Sequence, residues 1–268
     1  MTDVPSPATS RRRLIALTLG AAVGGAAWSS GLSILARGRH PQVFVLGDDV
    51  WQIVLVEHGT NRVIVLVGVF ERSPEPEIDL LCGVLRQHLD VVIGDEAGLR
   101  FLSPGFRERR SVSTVVQMDG SRLLSSAERH ISLVDLLTLR AGAFGLTLTP
   151  LLEVHWNSRQ SLVGEWIGHL TLGDLAIAIA PTLETIAQHA PVPTTMAIAP
   201  SGDIARVWRT LPGIVIATNS RLSLAEISAG VPTERSTTLV RTFPRDTAAF
   251  VFKEDRIHLP DWTQGSDT

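Results

Sequence analysis

The chain has 268 residues, of which 44% are hydrophobic and 19% charged, and its formal net charge is −3. That apolar fraction excludes a disordered chain, and charge this sparse excludes a coiled coil. The single cysteine, Cys82, excludes an internal disulfide and a thiolate zinc site.

The first nine residues are polar. Ser10-Arg11-Arg12-Arg13-Leu14-Ile15-Ala16 follows, leading into an apolar run rich in Ala and Gly. A positive stretch before a moderately hydrophobic one is the layout of a secretory signal. Ser10, Arg11, Arg12 and Leu14 resemble the twin-arginine export motif, which implies the twin-arginine translocon as a partner during export. The competing reading is a membrane anchor, since the 22 residues from Leu14 to Leu35 carry no charge and are long enough to span a bilayer. Both readings place the rest of the chain outside the cytoplasm, at the periplasm, the envelope surface or beyond. The expected organisation is a signal or anchor over 1–40, one domain over 41–260 and a loose tail over 261–268. From Pro41 onward there are 19 basic and 26 acidic residues, a charge of about −7. Such a body is a poor phosphate binder, so no nucleic-acid partner is expected.

Gln42–Gly47, Trp51–His58 and Asn61–Gly68 read as strands, with a hairpin turn at Gly59-Thr60-Asn61. Glu77–His88 has helical spacing, with Ile78, Leu81, Cys82 and Leu85 on one face. Leu89–Ile93 reads as a short buried strand ending at Gly94-Asp95-Glu96. Ala97–Phe106 shows little pattern, and Ser111–Gln117 is a β-branched strand. Leu146–Trp156, Leu162–Leu172 and Leu175–Ala180 are further strands. Pro181–Ala190 reads as a helix with Pro in its first turn. Thr194–Ala199 (strand), Asp203–Thr210 (helix) and Pro212–Thr218 (strand) follow. Arg241–Phe243, Ala248–Phe252 and Arg256–Leu259 are the closing strands.

The two halves share a rhythm of antiparallel strands followed by strand–helix units. That pattern predicts an α/β (α+β) fold, a four-layer αββα sandwich of two mixed β-sheets. A doubly wound sheet fits less well, because the opening strands are joined by tight turns and no G-x-G-x-x-G follows the first.

The order of segments resembles the metallo-β-lactamase fold, in the variant found at the C-terminal end of the competence protein ComEC and in its stand-alone relatives. Val43–Gly47 with Asp48-Asp49-Val50-Trp51 is similar to that family's opening strand and "GD" turn. Asn61–Gly68 is similar to its "rrvLIDtG" strand, and Leu89–Ile93 to the strand leading into its metal loop. Asn157–Val163 is similar to "NdrSLVlrl", and Ala197–Gly202 stands where "lkvpHHGs" would be. Val240-Arg241-Thr242 and Asp246–Phe252 are similar to its closing strands. The resemblance covers residues 42–260.

The family's chemistry rests on an H-x-H-x-D-H loop whose imidazoles and carboxylate hold two metal ions and activate a water. The matching stretch here, Asp95-Glu96-Ala97-Gly98-Leu99-Arg100, has no histidine. The bridging-aspartate position falls near Thr182, and the "HH" position is Pro200-Ser201. The eight histidines form no H-x-H or H-x-x-x-H pair. The resemblance therefore implies a catalytically degenerate domain with no metal ligand, no cofactor and no catalytic residue to assign. It would act as a binding or interaction module at the cell envelope. Its partner would be an unknown small ligand or envelope protein.

Asp95, Glu96, Ser201 and Asp203 are the candidate pocket. The plainer reading makes the first two turn acids and one of the last two a helix cap. An alternative function is a hydrolase of phosphoesters, esters or lactams with a rearranged site. Glu153 and His155, two apart on a strand, with Asp174 or His189, are its metal candidates. Ser, His and Asp are plentiful for a triad, but no G-x-S-x-G elbow exists. Cys82, on the apolar face of its helix, reads as a small buried hydrophobe.

Overall fold

The computed structural model describes residues 40–47, 50–82, 88–100, 105–106, 110–118, 129–133, 135–151, 165–191, 193–202, 214–217, 238–241, 246–253 and 256–258. The export-signal residues Ser10, Arg11, Arg12 and Leu14 lie outside this set. So do Asp203, the expected helix Asp203–Thr210, Glu153, His155 and the tail. Among the described residues no helix is long and apolar enough to cross a membrane.

Three antiparallel strands open the fold: β1 (Gln42–Gly47), β2 (Trp51–His58) and β3 (Asn61–Gly68). Helix α1 (Glu75–Cys82), strand β4 (Leu89–Gly94), helix α2 (Glu96–Leu99) and strand β5 (Val112–Gln117) follow. Strand β6 (Arg129–Ser132) ends this sheet. Strands β3 to β6 pair in parallel. The chain then builds a second sheet from β7 (Leu137–Ala141), β8 (Phe144–Pro150), β9 (Trp166–Leu172) and β10 (Leu175–Ile179), all antiparallel. Helix α3 (Leu183–His189) leads to β11 (Met196–Ala199), which pairs in parallel with β10. Strands β12 (Ile214–Ala217) and β13 (Thr238–Arg241) extend that parallel run. Finally β14 (Asp246–Lys253) and β15 (Arg256–His258) return to the first sheet, where β14 pairs antiparallel with β1.

The result is two mixed sheets, one of eight strands and one of seven. Alternation along the strands sorts side chains by size. Val43, Val45, Val54, Val56, Val63, Val65 and Val67 join Leu146, Leu170 and Ile177 of the second sheet in one buried cluster. The neighbours in between, Phe44, Leu46, Ile53, Leu55, Ile64 and Leu66, pack on the other face with Ile78, Leu81 and Cys82 of α1. Both faces of β2 and β3 are thus covered, which is why they read as unbroken apolar runs rather than alternating ones. On the second sheet Ala178, Ala180, Ala197 and Ala199 form a small-residue bed for Leu183 and Ile186 of α3.

Several expectations shift. Helix α1 begins at Glu75 rather than Glu77, with Glu75 and Glu77 in its first turn, where acids favour the helix dipole. Ala97–Phe106, read as patternless, begins with α2, a single turn capped by Asp95. Helix α3 starts at Leu183 because Thr182 caps it, so Pro181 precedes the helix instead of lying in its first turn. The strand placed at Arg241–Phe243 is centred earlier, on Thr238–Arg241. Strands β6 and β7 have no counterpart in the sequence reading.

One glycine is required by geometry. Gly68 has φ +93°, and a Cβ there would lie 2.0 Å from the carbonyl oxygen of Val50. That oxygen is backbone and accepts the N–H of Val69 at 3.2 Å, so it cannot move aside cheaply. Gly68→Ala is expected to destabilise the fold by about 2 kcal/mol or more, combining left-handed strain with the clash. Urea unfolding checks this; an unchanged midpoint would refute it.

Candidate functional site

The parallel strands point their C-terminal ends toward one rim, the usual place for ligands in such sheets. Asp95 follows β4, and Met118 follows β5. Gly68 and Val69 close β3. From the second sheet, Pro181 and Thr182 follow β10, while Pro200 and Ser201 follow β11. These residues, with Val50, Leu66 and Trp166, line one cavity of about 200 Å³. The sheet packing thereby brings together Asp95 and Ser201, and adds Thr182 and Pro200 beside them. The backbone of Glu96 opens α2 next to Asp95.

Each polar side chain of the cavity has a structural partner. Asp95 Oδ1 accepts the N–H of Gly98 at 2.6 Å, capping α2. It is half-buried, so it is a cap rather than a solvated turn acid. Thr182 Oγ1 accepts the N–H of Thr185 at 3.2 Å and caps α3. Ser201 Oγ donates to the carbonyl of Pro181 at 3.1 Å, and Thr182 and Ser201 form an isolated parallel bridge. Ser201 thus ties the two strand ends together. Gly94 and Gly98 let Leu66 pack against the loop, since a Cβ at either would meet the Leu66 side chain at about 3.1–3.2 Å. The remaining wall is apolar: Val50, Leu66, Val69, Met118, Trp166 and two prolines.

The metal chemistry of the family that the sequence resembles needs more donors than this set offers. The described positions offer one carboxylate, two hydroxyls already engaged as caps or ties, and a proline. Hard or borderline cations need several carboxylates or imidazoles converging on one point. Among the described residues no group of three His, Cys, Asp or Glu side chains could hold a metal ion. The residues present do not fit a dinuclear metal centre.

The other candidates disperse. Asp174 sits in the exposed turn before β10, at the strand end opposite the cavity, and His189 is exposed at the end of α3. Ser, His and Asp do meet at the start of β4 and β5. His88 Nδ1 lies 2.8 Å from Ser111 Oγ, and its Nε2 is 3.1 Å from Ser113 Oγ. Asp90 approaches the same Nε2 at 3.8 Å. A triad needs the carboxylate on the nitrogen facing away from the nucleophile. Here Ser111 occupies that side, and Asp90 Oδ2 accepts the N–H of Arg62 at 2.7 Å. The cluster is a polar clasp between strands.

Sequence reasoning missed Val50, Leu66, Val69, Met118 and Trp166. Trp166 reads as core by its apolar neighbours, and it is buried. Nothing local marks these five as sharing a wall.

A second cavity, about 510 Å³, adjoins the first through Val50 and Val69, which line both. Its other walls are Trp51, Phe70, Glu71, Arg72, Ser73, Pro74 and Glu77. Val50 and Val69 are half or more exposed, at 50% and 55%, despite being large apolar residues.

Elsewhere two ionisable groups are shifted by burial. Glu57 lies 2.6 Å from Arg62, yet desolvation outweighs the guanidinium and pushes its carboxyl up. His169 is pushed down by burial on β9.

Comparison with known proteins decides the fold. The chain superposes on the metallo-β-lactamase fold protein YhfI of Bacillus subtilis with a TM-score of 0.54 at 12% identity, over 78% of this chain and 99% of that one. The fold is that of the metallo-β-lactamase proteins. CmlA, a diiron β-hydroxylase from Streptomyces venezuelae, aligns more loosely, with a TM-score of 0.43 at 13% identity over 78% of this chain and 54% of CmlA. The chain thus spans about half of CmlA's length. No protein-family model and no curated protein sequence matches the chain. The metallo-β-lactamase fold accounts for the cavity's position between the two sheets' strand ends. It leaves activity to the side chains.

Cys82 does not supply that activity. It is 3% exposed at the end of α1, and burial pushes its thiol up to about 12. Against the ordinary value of 9.0 this leaves roughly a thousandfold less thiolate. Native protein is expected to resist iodoacetamide at pH 8 while urea-unfolded protein labels readily. Comparable native and unfolded rates, read by intact mass, would contradict that.

Proposed function

We propose that the chain is an exported, catalytically degenerate metallo-β-lactamase-like domain that binds a small ligand where the fold would otherwise hold metal. The observation that carries this reading is the cavity itself. Asp95, Thr182, Pro200 and Ser201 converge on it at the expected strand ends, yet three of the four carry no metal-ligating carboxylate or imidazole, and its wall is mostly apolar. A mostly apolar pocket with a few fixed polar groups is the ordinary form of a small-molecule site. The helices packed outside each sheet support reading the whole as a four-layer αββα sandwich of the ComEC-like kind. Asp95 and Ser201 are the polar contacts of the proposed pocket, and Glu96 and Asp203 are proposed to belong to it. An envelope protein seated over the cavity mouth is the corresponding partner.

The test combines metal analysis with binding. Protein purified from zinc- and iron-supplemented cells is expected to hold well under one metal ion per chain; two equivalents would overturn the reading. A library of neutral ring compounds, screened by ligand-observed NMR, is expected to yield binders competing for one site. Met118→Trp, which fills the cavity, should weaken them by about tenfold or more while circular dichroism stays native. Binding unaffected by that change would place the site elsewhere.

We propose further that Ser10, Arg11, Arg12 and Leu14 direct twin-arginine export, the domain folding before it crosses. The lone buried thiol agrees with cytoplasmic folding, because no disulfide has to form outside. Replacing Arg11 and Arg12 together by Lys is expected to retain the chain in the cytoplasm in a fractionation assay. Continued export of that double variant would exclude the twin-arginine route.

A further inference from the structure

We infer that the cavity of about 200 Å³ at the strand-end rim takes an uncharged ring that donates a hydrogen bond to Asp95, as a phenol does, and that it turns anions away. The assignment rests on the binding role proposed for that cavity and adds the class of ligand. Volume sets the ring. The space exceeds the roughly 150 Å³ apolar cavity that takes up benzene in an engineered protein, so one ring with a small substituent fits. Leu66, Met118, Trp166 and two prolines give that ring apolar contacts.

Charge sets what the ring cannot carry. Among the described residues that line the cavity, Asp95 alone has an ionisable side chain, so this wall holds one negative charge and no cation. A carboxylate or phosphoester entering it would lose its water and meet a like charge, with no arginine or lysine to offset either cost. The backbone routes to anion binding are closed as well. Anions settle on free N–H groups at loops and helix starts. Pro181 and Pro200 have no N–H to offer. The start of α2 is held by Asp95 itself and the start of α3 by Thr182.

Hydrogen-bond direction sets the substituent. Ser201 Oγ gives its proton to the Pro181 carbonyl, so what it has left is lone pairs. Asp95 as a carboxylate accepts and does not donate. Its cap takes one N–H on Oδ1, and a carboxylate accommodates up to about four such bonds. A ligand O–H directed at it forms a charge-assisted bond, roughly twice as strong as one between neutral groups. A ring without a donor would set hydrocarbon against that carboxylate and cost it water. A ring hydroxyl answers all three demands: it is small, uncharged and carries one proton to give.

Three probes of one shape test this: p-cresol, p-xylene and 4-methylbenzoate, titrated by ligand-observed NMR into the intact chain and its Asp95→Asn variant. p-Cresol is expected to bind about tenfold tighter than p-xylene, and 4-methylbenzoate at least about tenfold more weakly than p-cresol. Asparagine caps a helix as well as aspartate, so the variant is expected to keep its circular dichroism. In it the advantage of p-cresol over p-xylene should fall to about threefold, as the charge-assisted share is lost, while 4-methylbenzoate gains. The wild-type ranking stands on its own should the variant not fold. If p-xylene binds and p-cresol has no advantage, or the advantage survives Asp95→Asn in full, only the donor assignment falls. 4-Methylbenzoate binding best would overturn it in favour of an anion. If none of the three binds the wild-type chain, or Met118→Trp leaves their binding unchanged, the pocket reading falls with it.

Discussion

Covering both faces of both sheets is the constraint from which the rest follows. The valines of β1, β2 and β3 are sealed against the second sheet, and the larger side chains between them are sealed under α1. Most residues of β1 to β4 are therefore committed to packing, each large apolar side chain worth about 1.5–3 kcal/mol when fully buried. Only the strand ends and their loops are left for polar groups. The cavity sits there because no other part of the architecture has side chains to spare.

The same constraint explains how the polar residues of the cavity came to be engaged. A loop at the end of a buried strand must satisfy its own backbone. Asp95 and Thr182 do so by capping the helices that leave the rim, and Ser201 by bridging to Pro181. In a metal-binding relative, histidines and aspartates at such positions would be held by the metal. Here the same positions are engaged in helix caps and a tie between strand ends.

Legibility in the sequence followed burial. Strands β1 to β5 stand out because they are apolar on both faces. Strand β6, with Arg129 and His130 exposed, and β7, with Thr138 and Arg140 exposed, lie at sheet edges and look like loop. Propensity and alternation are weakest where only one side of a strand has a neighbour. For the cavity, the positions Asp95, Thr182 and Pro200-Ser201 were legible because segment order alone fixes which loops meet at the rim. The opposing wall was not: Met118 and Trp166 reach it from segments far apart in sequence. Such facts belong to three-dimensional packing and leave no local pattern.

The return of β14 to the first sheet has its own consequence. From β1 to β13 the chain finishes one sheet and then the other, but β1 keeps an open edge until Asp246–Val251 pairs with it. That pairing spans about two hundred residues and is the longest closure among the described residues, so it is slow by topology. An unpaired edge is also a template for other strands. A chain lacking residues 246–251 would thus leave that apolar edge of β1 unpaired. Until residues 246–251 are in place, that edge stays open to pairing with other strands.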